Sequence, residues 1–288
     1  MSEAVPLKPD LGRFGVWLLT RSVTPQLAAD IESLGYGAVW VGGSPKADLA
    51  WVEPALEQTT SLQLATGIVN IWSAPAPAVA ESFARIERAH PGRFLLGIGA
   101  GHREHTEEYV KPYDALVSYL DALDAAMVPT SRRVLAALGP RVLRLAAQRS
   151  AGAHPYLTTP EHTAKARELV GKPVFLAPEH KVVLTADAAE ARAVARKTAD
   201  RYLGLSNYVN NWLRIGFTQD DVRKPGSDRL IDAVVAHGTP ESIAGRLKEH
   251  IDAGADHVAI QVLGASSDEA LLSALSELAG PLGLSRAE

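Results

Sequence analysis

The stretch Pro91-Gly92-Arg93-Phe94-Leu95-Leu96-Gly97-Ile98-Gly99-Ala100-Gly101-His102 decides the fold. A run of helical period, Ala78–Ala89, leads through the break His90-Pro91-Gly92 into the apolar strand Phe94–Ile98, which opens into small and polar residues. Helix, break, buried strand and small-residue rim together make the repeating unit of a parallel sheet covered by helices. Upstream, the unit recurs with strands at Phe14–Leu18, Ala38–Val41 and Leu64–Val69. Downstream, the strands are Val134–Leu138, Pro155–Leu157, Val182–Thr185 and His257–Val262. Helix starts lie between them. Thr24-Pro25, Thr159-Pro160 and Thr239-Pro240 place a capping hydroxyl before a first-turn proline, Gly139-Pro140 opens another helix, and Asp187-Ala188-Ala189-Glu190 has the form of a capping box. Eight strands alternate with helices, and no early strand carries a full dinucleotide-binding glycine fingerprint. The pattern predicts α/β architecture, a (β/α)8 TIM barrel with insertions after strands four and seven, in one domain spanning 1–288. The insertions are Arg103–Arg132 and Asp187–Gly238, neither with enough alternating strands for a core of its own. Both are expected over the active face.

Hydrophobic residues make up 47% of the 288 and charged residues 22%, enough apolar material for a sizeable core. With 29 Lys and Arg against 33 Asp and Glu, no basic field recommends nucleic acid or an anionic membrane. The absence of cysteine removes disulfides, zinc-thiolate sites and cysteine nucleophiles. Met1–Asp10 has no apolar run of signal-peptide type, and nowhere do 18 apolar residues follow one another. A cytoplasmic protein acting on a small molecule is expected.

Barrel enzymes carry their chemistry at the C-terminal ends of the strands. That rule selects Trp17 and Thr20, Gly42-Gly43-Ser44, Asn70 and Trp72, Ala100-Gly101-His102, Gly139, Thr158-Thr159, Glu179-His180 and Gln261. Gly97, Gly99 and Gly101 either let backbone approach a flat ring or phosphate, or make a tight strand end that needs no ligand. His102 and His105 are spaced for one helical face, but no third ligand of clear spacing accompanies them, so no metal site is expected. A lone imidazole acting on a proton suits His102 better. Thr158-Thr159-Pro160 supplies two hydroxyls at a fresh helix N-terminus, a setting for a phosphate, although a plain cap would need only Thr159. The amide- and aromatic-rich run Tyr202–Trp212 reads either as pocket lining or subunit contact, or as a partly solvated helix whose Tyr208 and Trp212 stack.

Six segments, in this order and spacing, resemble the luciferase-like monooxygenase superfamily, and within it the actinobacterial branch of coenzyme F420-dependent oxidoreductases. They are Gly37-Ala38-Val39-Trp40-Val41, Ala65–Trp72, Pro91–His102, Leu135–Pro140, Asn207–Asn211 and Ala253–Val258. The resemblance implies a barrel with the ring of a deazaflavin (F420), or alternatively of FMN, at its C-terminal mouth, and a homodimer. Relatives carry a non-proline cis peptide on strand three, which matches Gly67–Ile68. The resemblance further implies ring and ribityl contacts from Asn70, His105, Leu138 and Gly139, a phosphate contact at Thr158 and Thr159, and an acid/base contact to the ring edge at His102, where deazaflavin relatives have Glu. It also exposes a departure. Alcohol and sugar-phosphate dehydrogenases of the superfamily use a His after strand two, where Gly43-Ser44 stand here.

Overall fold

In a computed structural model, residues 8–101 and 111–285 are described. Along them run β1 (Phe14–Leu19), α1 (Pro25–Ser33), β2 (Ala38–Gly42), α2 (Val52–Glu57), β3 (Gln63–Thr66), β4 (Val69–Asn70), α3 (Ala76–Ala89), β5 (Phe94–Gly99), α4 (Pro112–Ala125), β6 (Arg133–Leu135), α5 (Pro140–Arg149) and β7 (Gly152–Ala153). There follow α6 (Pro160–Val170), β8 (Phe175–Leu176), β9 (Glu179–Val183), α7 (Ala188–Tyr202), α8 (Ser206–Arg214), α9 (Asp228–Val234), β10 (Val235–His237), α10 (Pro240–Asp252), β11 (Val258–Val262) and α11 (Asp268–Leu282).

The strands form one curled sheet in the order β10-β9-β11-β1-β2-β3-β5-β6-β7-β8, with β4 beside β5, and each pairing is parallel. Its two ends approach one another around Pro178. The Ala177 N–H donates to Ala153 O on one side, and the Ala259 N–H donates to Pro178 O on the other. The architecture is TIM-barrel-like.

Alternation along the strands divides the core, as expected for strands buried on both faces. Trp17, Ala38, Trp40, Ala65, Leu95, Val134, Phe175, Ala177 and Ala259 form an inner cluster. Val16, Val39, Val41, Leu64, Leu96 and Ile98, one residue out of phase, pack outward with the helices. The capping reading holds: Thr24, Thr159, Asp187 and Thr239 are N-caps whose side chains accept backbone N–H groups of the following turn.

Strand limits differ from the sequence reading where proline or a special backbone intervenes. The third strand breaks at Gly67-Ile68 into β3 and β4. The sixth strand lies at Gly152–Ala153 rather than at Pro155–Leu157, because Pro155 has no N–H to give and Leu157 turns the chain with φ +54°. The seventh begins at Phe175 and is interrupted at Pro178, so Glu179 and His180 lie within a strand rather than after one. Within 187–238 the chain forms α7, α8, α9 and β10. These do build a hydrophobic cluster, joined to the curled sheet through Leu157 and Val183. No helix among the described residues is long and apolar enough to cross a membrane.

Candidate active site at the strand C-termini

The glycine run that opens the sequence argument has a definite steric cause. A Cβ at Gly97 would lie 1.8 Å from the Thr66 carbonyl oxygen, and one at Gly99 would lie 2.8 Å from Cδ1 of Ile68 and 3.0 Å from Cβ of Ala136. The glycines therefore let β5 close against the break in the third strand, where the Gly67–Ile68 peptide bond is cis. Thr66 locks the same contact: its hydroxyl donates to Gly97 O and accepts from Gly97 N–H, both at 2.8 Å. Of the two readings of the run, the tight strand end is satisfied without a ligand.

What lies beside that contact is a mouth. Gly67, Ile68, Ala136, Leu138 and Gly139 are each half-buried, whereas the strand residues beneath them are buried. Gly139 caps α5, and a Cβ there would meet nothing. Leu138 is tied to the next turn, because its carbonyl binds Nε2 of His162 at 2.9 Å. Leu138-Gly139 and Thr158-Thr159 are thereby brought together. Asn70 pairs with Gly99 at the end of β5, and its Oδ1 accepts from the Trp72 backbone N–H at 3.1 Å. His102 and His105 lie outside the described residues.

Thr158 and Thr159 are fully buried. The Thr159 hydroxyl accepts from the His162 N–H, whereas Oγ1 of Thr158 has no hydrogen-bond partner among the described residues. Nδ1 of His162 is likewise buried and unpartnered. Unsatisfied buried polar atoms are costly and rare. The Thr158 hydroxyl left over at the N-terminal turn of α6 suits an anion there, whereas Nδ1 of His162 is an acceptor, because Nε2 carries the proton given to Leu138 O and burial keeps the ring neutral. In this conformation α8 covers the turn, with the Trp212 indole donating to Leu157 O at 3.4 Å.

Beneath Gly67 lie two further unpartnered atoms, the Trp17 indole Nε1 and Nε2 of His154. His154 stacks on Trp40 at 4.1 Å, and its Nδ1 sits 2.7 Å from Ala177 O, which makes Nδ1 the protonated nitrogen and leaves Nε2 as an acceptor. The Trp40 indole donates to Nε2 of His257 at 3.0 Å, and Nδ1 of His257 donates to Gly12 O. Burial pushes the His154 imidazole down to about 3 and that of His257 to about 4. Both rings are neutral.

A second group joins Glu179, Gln261 and Tyr202, which the sequence reading picks out, to Tyr156 and Lys181, which it misses because Tyr156 is placed inside a strand. Tyr156 lies two residues past Ala153-His154 and projects into the mouth, where its hydroxyl donates to Oε1 of Gln261 at 3.0 Å and accepts from the Tyr202 hydroxyl at 3.2 Å. The Lys181 ammonium sits 3.7 Å over its ring and 2.7 Å from Glu179, and both members of this ion pair are fully buried. Burial drives the Glu179 carboxyl upward and the Lys181 ammonium downward, and each partner opposes the other's shift. A signal existed in the sequence: an aromatic residue just before the Thr158-Thr159 helix start, once Pro155 is recognised as ending the strand.

Residues 13–134 match the luciferase-like monooxygenase family model. This luciferase-like region holds the Gly67–Ile68 bond and the glycine run, while Tyr156, Thr158, Lys181 and Gln261 lie beyond it. Among curated proteins, 4-hydroxyprotoasukamycin monooxygenase of Streptomyces nodosus subsp. asukaensis is 25% identical over 233 residues, 66% of this chain and 62% of that protein. The match thus spans less than two thirds of the relative's length. Two solved structures share the fold across nearly the whole chain. An F420-dependent secondary alcohol dehydrogenase, in complex with an F420-acetone adduct, has a TM-score of 0.72 at 14% identity, covering 94% of this chain and 98% of its own. The FMN-bound oxygenating constituent of 3,6-diketocamphane monooxygenase, from the CAM plasmid of Pseudomonas putida, has a TM-score of 0.67 at 14% identity, covering 96% and 100%. The fold shared with these structures therefore extends past residue 134.

Proposed function

We propose that the chain is an F420-dependent oxidoreductase that moves a hydride between a deazaflavin and a small organic substrate, in a one-domain, cytoplasmic homodimer. The observation that supports this most is the half-buried apolar surface of Gly67, Ile68, Ala136, Leu138 and Gly139, adjoining the orphaned Thr158 hydroxyl at the start of α6. Such a surface fits a flat ring, and such a hydroxyl fits a phosphate at the far end of the same ligand. Gly67 and Ile68 would lie at the ring, Asn70, His105, Leu138 and Gly139 would border the ring and its ribityl chain, and Thr158 and Thr159 would hold the phosphate. When bound, the deazaflavin supplies a carbon that accepts or donates hydride.

The chain's own residues would do the rest. The apolar floor excludes water, Leu138 and His162 fix the turn that meets the phosphate, and His102 holds the proton that accompanies hydride transfer. With Gly43-Ser44 in the place of a strand-two His, reduction of an acceptor suits the site better than oxidation of an alcohol.

The second reading is an FMN-dependent monooxygenase, favoured by the monooxygenase relative and by the FMN-bound structural neighbour. Separate fluorescence titrations with F420 and FMN distinguish the two. Preferential F420 binding supports the first reading, and preferential FMN binding overturns it. If F420 binds but no donor or acceptor changes its absorbance, the chain is a binding protein and the hydride-transfer reading fails.

A further inference from the structure

The hydrogen bonds in the mouth run in one direction. Tyr202 donates to Tyr156, and Tyr156 donates to the side-chain oxygen of Gln261. The chain ends on the Gln261 amide, whose nitrogen has no partner among the described residues, and Gln261 is half-buried rather than sealed. Hydrogen bonds in series polarise one another, so the amide hydrogens at the end become stronger donors.

The rest of the structure holds this chain in place. Lys181 grips the Tyr156 ring from one face, and Trp17 lies against it with ring centroids 5.3 Å apart. Tyr202 and Tyr208 pack around it at 5.6 and 6.4 Å. The cation is occupied by Glu179 and by the ring face, and neither Lys181 nor Glu179 is exposed. The mouth therefore offers flat aromatic walls and a neutral amide donor rather than a bare charge. Burial also keeps the Tyr156 hydroxyl protonated, well above the ordinary tyrosine range, so it retains the proton it donates to Gln261.

We propose that the Gln261 amide is the group that binds an oxygen of the reacting molecule, with Tyr156 as its positioning residue, and that the site takes a planar aromatic compound carrying a phenolic or carbonyl oxygen. This rests on the reading of the strand C-termini as the ligand site, but it needs no cofactor for its test.

Binding of 4-nitrophenol and of 4-nitrotoluene, which share the ring and the nitro group and differ in the oxygen, is measured by equilibrium dialysis to the wild-type protein and to Gln261→Leu and Tyr156→Phe. The wild type should bind 4-nitrophenol more tightly. Gln261→Leu should weaken it about tenfold, in line with losing a hydrogen bond to a polar ligand oxygen in a dry site. Tyr156→Phe keeps the ring and its packing and should weaken 4-nitrophenol several-fold, while both variants leave 4-nitrotoluene within about twofold. Circular dichroism verifies that both variants are folded, and Gln261→Asn serves as a smaller perturbation should Gln261→Leu fail to fold. No binding of 4-nitrophenol to the wild type, or equal losses for both probes, overturns the proposal. A failed F420 or FMN titration would instead count against the cofactor reading and leave this result standing.

Discussion

Acidification from pH 7 to pH 5 should destabilise this protein strongly, because its interior holds imidazoles that cannot take a proton without leaving their places. Burial is the leading cause at each. It pushes His154 and His180 down to about 3, His257 down to about 4, and His250 well below its ordinary value. His250 is further restrained by His180, whose Nδ1 lies 2.9 Å from its Nε2, and by Thr163 at 2.8 Å. The sign follows from proton uptake. Above pH 6.5 the rings are neutral in both folded and unfolded chains. Below it the unfolded chain binds protons that the folded chain refuses, so stability falls until the folded rings titrate near pH 4 and 3. For one ring the loss between pH 7 and pH 5 is about 2 kcal/mol. Three rings with this weight act together, His250 adds to the fall, and the raised Glu179 carboxyl works in the opposite direction. A net fall on the order of 5 kcal/mol is expected, comparable to the whole stability of many domains. Urea unfolding followed by circular dichroism at the two pH values measures it, and His180→Asn, which removes one ring, should recover about 2 kcal/mol of the fall. An unfolding free energy that is the same at pH 7 and pH 5, with an unchanged urea slope, would refute the reasoning.

Further expectations concern the glycines, the buried ion pair and the turn before α6. Gly97→Ala puts a methyl group 1.8 Å from a carbonyl oxygen and should cost about 3 kcal/mol or more in urea unfolding. Gly139→Ala meets nothing and should change stability by less than about 0.5 kcal/mol while weakening F420 or FMN, measured by fluorescence titration. Lys181→Met leaves the Glu179 carboxyl buried without its partner and should lower stability at pH 7 by about 3 kcal/mol, read from the same unfolding curves. Thr158→Val removes an unpartnered hydroxyl without changing volume, so thermal unfolding should be unmoved or slightly raised. If that hydroxyl holds a phosphate, the same variant should lose affinity for FMN but not for riboflavin.

Much of the architecture was legible because its signals are local. A threonine or aspartate before a helical run caps it for reasons contained in four residues, and the caps at Thr24, Thr159, Asp187 and Thr239 lie where the sequence placed them. The strands were legible in order but not in number or extent, since β10 lies within the segment read as an insertion after strand seven. Apolar runs mark burial, whereas strand ends are set by which N–H finds a partner across the sheet. Pro155 and Pro178 change that locally in ways a hydropathy pattern does not weigh.

The site was legible in the same measure and fails for the same reason. Gly97, Gly99, Leu138 and Gly139 stand at the C-terminal face because strand order put them there. Glu179 stands among the candidate rim residues while Lys181 falls just before the strand read at Val182–Thr185, and nothing in their spacing reveals that both lie on one strand beside Tyr156. Gln261 and Tyr156 are 105 positions apart, joined only because β11 and β9 are neighbours in the curled sheet and the chain after β7 turns back over them at Leu157. The glycine run shows the converse. Gly97 and Gly99 are excused by Thr66 and Ile68, so their composition says nothing by itself about a ligand. What points to a ligand instead is the buried Thr158 hydroxyl, whose hydrogen-bonding need the fold leaves unmet among the described residues.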